Sequence, residues 1–165
     1  MSKVNDAKRF KELATVESDY AVKLEGDVRG YGNEIFREII NSIAIDSKKH
    51  AGLFKACAAV SDGEGLSLHE DEYDELVESL KKHEVVEGNM IKTVDGLLAK
   101  NQDPRIEMML KYIKEDELRH HKLLENMNAM VVRKEMILEK DVWNQLFKDV
   151  LTHGHAPPDQ WEEPE

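Results

Sequence analysis

The chain has 165 residues, and 23 basic against 34 acidic side chains leave a formal charge of −11. That length suits a domain that buries a core without disulfide staples. The single cysteine, Cys57, excludes an internal disulfide and any cysteine-based zinc or redox pair. The acidic excess argues against a nucleic-acid or anionic-membrane surface, since both need clustered Lys and Arg.

With 35% charged residues, 6% aromatics and four prolines, the composition favours helices over a sandwich or barrel. No run approaches the roughly 18 apolar residues of a membrane-spanning helix. The opening Met-Ser-Lys-Val-Asn-Asp lacks the apolar core of a signal peptide. The expectation is a soluble, cytoplasmic, mostly helical protein.

Punctuation divides the chain into five helical segments. The first runs over about residues 4–28 and ends at Arg29-Gly30-Tyr31-Gly32-Asn33, where two glycines stop a helix cheaply. Asn33 caps the second, which reaches about residue 60 before a Gly-containing connection, 61–65. Ser67 and Glu70 form a capping box for the third, which ends near residue 100. Asp103-Pro104 pairs an N-cap with proline at the first helical position, and the fourth helix continues to about residue 132. Residues 134–151 read as a last amphipathic helix carrying Val142, Trp143, Leu146, Phe147 and Val150, before an irregular tail. Two short connections and one longer one imply two antiparallel hairpins joined by a crossover.

Each of the first four helices carries a stripe in steps of three and four, the signature of a bundle core. Helix one gives Phe10, Ala14, Glu17, Ala21, Leu24 and Val28, and helix two gives Phe36, Ile40, Ile43, Ser47, His50, Phe54 and Cys57. Helix three gives Leu80, Glu84, Glu87, Ile91, Val94 and Leu98. Helix four runs from Ile106 through Leu110, Ile113, Glu117, His120 and Leu124 to Met127 and Val131. Polar residues interrupt every stripe midway. The stripes superimpose at an offset of seventy: Phe10 maps to Leu80, Glu17 to Glu87, Ser47 to Glu117 and His50 to His120. Two hairpins of one design make up the chain.

If the first turn centres on Gly32, Glu17 faces Ser47 and Ala14 faces His50. If the second centres on Gln102, Glu87 faces Glu117 and Glu84 faces His120. Four carboxylates and two imidazoles in such a layer do not serve stability. An ionised carboxylate buried without a partner costs several kcal/mol, and the stripes contain no Lys or Arg to neutralise it. Divalent cations would do so, and carboxylate with imidazole suits iron, manganese or zinc. Glu117-x-x-His120 also sits almost one turn apart, so both side chains point to one side. The candidate ligands are Glu17, His50, Glu84, Glu87, Glu117 and His120. Asp46 and Asp116 read as either hydrogen-bond acceptors behind a ligand imidazole or surface charge. His121 reads as exposed, and Cys57 as packing.

These residues resemble the ferritin-like superfamily of diiron-carboxylate proteins, nearest in style to rubrerythrins: one Glu from each of helices one and three, and Glu-x-x-His from each of helices two and four. The likeness covers about residues 5–132. It implies a ferritin-like antiparallel four-helix bundle over residues 1–133, followed by an amphipathic helix and tail over 134–165. It further implies that Glu117 bridges two metals, that His120 binds one of them, and that Glu84 or Glu87 supplies the helix-three carboxylate. Glu17 and His50 would serve from the first half. Two features depart from the family: Ser47 stands where a bridging Glu belongs, and one cysteine cannot make a rubredoxin-type module.

The leading expectation is a diiron oxidoreductase acting on dioxygen or peroxide, with a separate electron-donor protein. Its rivals are non-catalytic binding or storage of iron, manganese or zinc, and a structural bundle with a degenerate site. The apolar face of the fifth segment points to a homodimer or a lid.

Overall fold

The computed structural model describes residues 3–65, 70–133 and 144–150. It is helical, with four long helices: α1 (Lys3–Val28), α2 (Glu34–Asp62), α3 (Glu70–Leu98) and α4 (Pro104–Arg133). The chain divides into two compact units, Met1–Gly65 and Leu66–Glu165. The first is the α1–α2 hairpin and the second contains the α3–α4 hairpin. Among the described residues, no helix is long and apolar enough to cross a membrane.

The helix ends follow local chemistry. Asn33 has extended backbone and its side chain accepts a hydrogen bond from the Phe36 amide at 3.0 Å, satisfying one of the orphan donors of the first turn. Gly63 ends α2 in the left-handed region at φ 97°, where a side chain would be strained. Its amide reaches Val60 O, and that of Glu64 reaches Ala59 O, each at 3.0 Å. Asp103 Oδ1 accepts from the Arg105 amide at 2.9 Å, so the expected cap before Pro104 forms. The Arg105 guanidinium beside it also holds the Asp103 carboxyl below its ordinary pKa. The Ser67 cap lies outside the described residues.

In the first hairpin the buried positions repeat every seven residues and are small. Ala7, Ala14, Ala21 and Val28 line α1; Ala44, Ser47, Ala51 and Ala58 line α2; none is more than 5% exposed. Small side chains let two helix backbones come to the short end of the usual packing distance of roughly 8–10 Å. Phe10 stacks on Phe54 at 6.3 Å between centroids, and Lys11 pairs with Asp62 at 2.7 Å. The stripe expected on α1 is the observed one. On α2 the buried face is rotated from the expected stripe: Phe36 is 51% and Ile43 47% exposed, and Cys57 is exposed rather than packed. The physical reason is the close approach. Two antiparallel helices bring their smallest faces together, and the large apolar side chains flank the contact.

Among the described residues, the second hairpin buries fewer side chains: Leu80, Val94 and Met130. Residues 144–150 close a helical turn against α4. Asn126 Nδ2 donates to Leu146 O at 2.9 Å and to Lys148 O at 2.8 Å, and Val150 is buried. The rest of the expected fifth helix, including Val142 and Trp143, lies outside the described residues.

Candidate metal centre

Glu87 on α3 meets Glu117 and His120 on α4, one ligand atom from each lying within 4.8 Å of the others. His120 Nδ1 is 3.9 Å from Glu87 Oε2. Glu117 and His120 share a helix face because three residues make nearly one turn, and the antiparallel register brings Glu87 alongside. The electrostatics are unfavourable. A hydrogen bond shared with Glu87, followed by burial and repulsion from the Glu87 charge, pushes the Glu117 carboxyl up to about 7, while His120 acts the other way. Glu87 Oε2 is buried and has no hydrogen-bond partner. A carboxylate oxygen in that condition carries an unpaid desolvation cost. The donor set, two carboxylates and one imidazole with an orphaned oxygen, fits a divalent cation of the first transition row or zinc.

The first hairpin repeats part of this arrangement. His50 Nδ1 lies 3.6 Å from Glu17 Oε1, the same residue pair seventy positions earlier. Ser47, the counterpart of Glu117, is buried at 5% exposure. The register therefore differs by one seam position from that centred on Gly32, which paired Glu17 with Ser47 and Ala14 with His50.

Glu84 is not part of the Glu87–Glu117–His120 group. Its Oε2 accepts from Asn128 Nδ2 at 3.1 Å, where the assumed register faced Glu84 with His120. Of the six sequence candidates, the structure brings Glu87, Glu117 and His120 together, pairs Glu17 with His50, and sets Glu84 apart. Asp46 pairs with Lys49 at 2.5 Å, and Asp116 pairs with Arg119 on its own helix. His121 is not exposed: it is half-buried, and its ring faces Gly88 on α3.

Asn128 and His121 were missed as cross-helix residues, although a signal for both exists. They lie seventy residues after Ala58 and Ala51, two of the smallest and most buried residues of the first hairpin. Comparison with known proteins yields no match: no family model, no curated protein and no solved structure is similar to the chain.

Proposed function

We propose that this protein binds a divalent metal through Glu87, Glu117 and His120. The observation that carries the reading is the buried Glu87 Oε2, which accepts no hydrogen bond, beside a second carboxylate and an imidazole, all within 4.8 Å. Two carboxylates held together until one keeps its proton near neutral pH are a poor design for stability and a good one for a cation that replaces that proton. The Glu17–His50 pair of the first hairpin would hold a second, more weakly ligated ion, because Ser47 offers no carboxylate there. This is the ligand pattern of the ferritin-like superfamily.

Iron is the metal we favour, with manganese or zinc as alternatives. When bound, iron supplies one-electron redox chemistry toward dioxygen or peroxide. The chain's own part is to supply charge and hold geometry. Glu117 would exchange its proton for a bound metal, Glu87 would provide an oxygen that accepts no hydrogen bond, and His120 would add a neutral nitrogen. Cys57 alone cannot ligate a redox centre of the rubredoxin type, so the electrons for such chemistry would come from outside residues 1–165.

Metal-free protein titrated anaerobically with Fe(II), and separately with Mn(II) and Zn(II), tests the reading. Saturable binding is expected in the wild type and its loss in Glu117→Ala. Unchanged stoichiometric binding in that variant would overturn the site. A pulse of oxygen or peroxide on the iron-loaded protein then separates an oxidoreductase, which turns over with an added reductant, from a protein that only holds the metal.

A further inference from the structure

We propose that the groove at Gly88 is a second cation site of the α3–α4 hairpin, separate from the Glu87–Glu117–His120 group and ligated by the Glu84 carboxylate and His121 Nδ1. Four observations converge on it. Glu84, Gly88 and His121 line one open cavity of about 500 Å³, together with Asn89 and Lys92. His121 Nδ1 is buried and has no hydrogen-bond partner. The other ring nitrogen, Nε2, lies 3.6 Å from Glu125 Oε1, one turn along α4. Asn128 Nδ2 donates to Glu84 Oε2, while Asn128 Oδ1 is itself buried without a partner.

The chemistry follows from which nitrogen keeps its proton. Glu125 favours the proton on Nε2, which directs the Nδ1 lone pair toward α3. A proton on Nδ1 instead would bury a donor with nothing to receive it. The imidazole therefore presents a lone pair, and Asn128, by holding Oε2, leaves Glu84 Oε1 for a ligand. A lone pair and a carboxylate oxygen in one polar groove suit a borderline cation such as Zn(II) or Fe(II). Glycine at position 88 keeps the groove open: a Cβ there would sit 3.5 Å from the His121 ring carbon Cε1. Lys92 is exposed at the rim and can turn its ammonium to water when a cation enters.

This site has two protein ligands against the three of the Glu87 group, so it should be the weaker and faster-exchanging of the two. Since Gly88 follows Glu87 and His121 follows His120 in sequence, the groove adjoins the proposed centre. Its role would be to collect a cation beside that centre. In this assignment Glu84 serves the groove, where the sequence pattern alone grouped it with Glu87.

The test is a calorimetric titration of the metal-free full chain with Zn(II), paired with imidazole nitrogen NMR. Two events of different affinity are expected from the α3–α4 hairpin, apart from any at the Glu17–His50 pair, and the weaker of the two is accompanied by a shift of His121 Nδ1. His121→Gln and Glu84→Gln should each remove the weaker event and leave the tighter one. Asn128→Ala should weaken the weaker event by about tenfold, as loss of a residue that orients a ligand does. Retention of both events in His121→Gln and Glu84→Gln, or no change at His121 Nδ1 on adding Zn(II), would overturn the proposal. Glu117→Ala separates the two readings. If it leaves both events intact while His121→Gln removes one, the Glu87 centre fails and the groove stands.

Discussion

The two hairpins share one plan and differ in what fills their seams. Ala14 and Ala58 of the first correspond to Glu84 and Asn128 of the second, which hydrogen-bond across the helices; Ala51 corresponds to His121, and Ala44 to Lys114, which pairs with Asp95 at 2.6 Å. Where the first hairpin packs methyl groups, the second places amides, imidazole and charge. The first has thus kept a close apolar contact and a single Glu–His pair at its edge. The second has given up burial for polar groups that only partly satisfy one another, as the orphaned atoms of Glu87, His121 and Asn128 record. Among the described residues, apolar packing and unsatisfied polar atoms are thus concentrated in different halves of one repeated pattern.

The largest expected effect comes from exchanging the residue that most separates the copies. Ser47→Glu restores the second Glu-x-x-His but puts a carboxylate at a position 5% exposed, between Ala44 and Ala51. An unpaired buried carboxylate costs several kcal/mol, so the metal-free variant should melt far below the wild type, with partial recovery on adding Fe(II) or Mn(II). Glu117→Ser is the reciprocal exchange and should raise the metal-free melting temperature while abolishing tight metal binding. If Ser47→Glu is destabilised equally with and without metal, position 47 does not address a metal.

Next in size is the close contact itself. Ala21 is fully buried in α1, and Ala21→Leu forces four heavy atoms where one stood before, which should cost about 1–3 kcal/mol. At the equivalent position of the second hairpin stands Ile91, which is only half-buried; Ile91→Leu should change stability by less than about 1.5 kcal/mol. Urea titration of both variants measures the difference. Equal losses would show that the two seams are packed alike. A smaller effect, of about 1 kcal/mol, is expected for Asn33→Ala, which removes the cap from α2.

Much of this organisation is legible in the sequence because it is periodic. The helix ends follow from Asn33, Gly63 and Asp103-Pro104, and the offset of seventy picked out Glu17, His50, Glu87 and His120 as candidates, although the register assumed from the turns did not pair them. Two things were hidden. The rotation of α2 depends on which face gives the closest approach, and alanine contributes little to a hydrophobic stripe, so Ile43 and Phe36 outweigh Ala44 and Ala51 in any pattern of polarity. The partner of Glu84 is the second thing. It bonds Asn128, eight residues and just over two helical turns beyond His120, and turn position alone does not give that contact.

The last effect is the most specific, because it separates the hairpins by pH. Glu117 in the folded protein titrates at about 7 against an ordinary value of 4.5, chiefly through the hydrogen bond it shares with Glu87 and through burial. A carboxyl raised in the folded state favours the protonated form there. Its contribution to stability is fully present below the unfolded value and is lost as pH rises through the folded one. The metal-free wild type should therefore lose stability between about pH 5 and pH 8, and Glu117→Gln, which cannot ionise, should flatten that part of the profile. Ser47→Ala in the first hairpin removes no titrating group and should leave the slope unchanged. Metal reverses the sign: a cation competes with the Glu117 proton, so affinity should climb with pH through about 7 as binding releases that proton. Urea midpoints collected from pH 5 to pH 8, with and without Zn(II), measure both trends. An identical slope in wild type and Glu117→Gln would mean that the shared proton is not at Glu117, and the charge conflict that motivates a metal there would lose its main support.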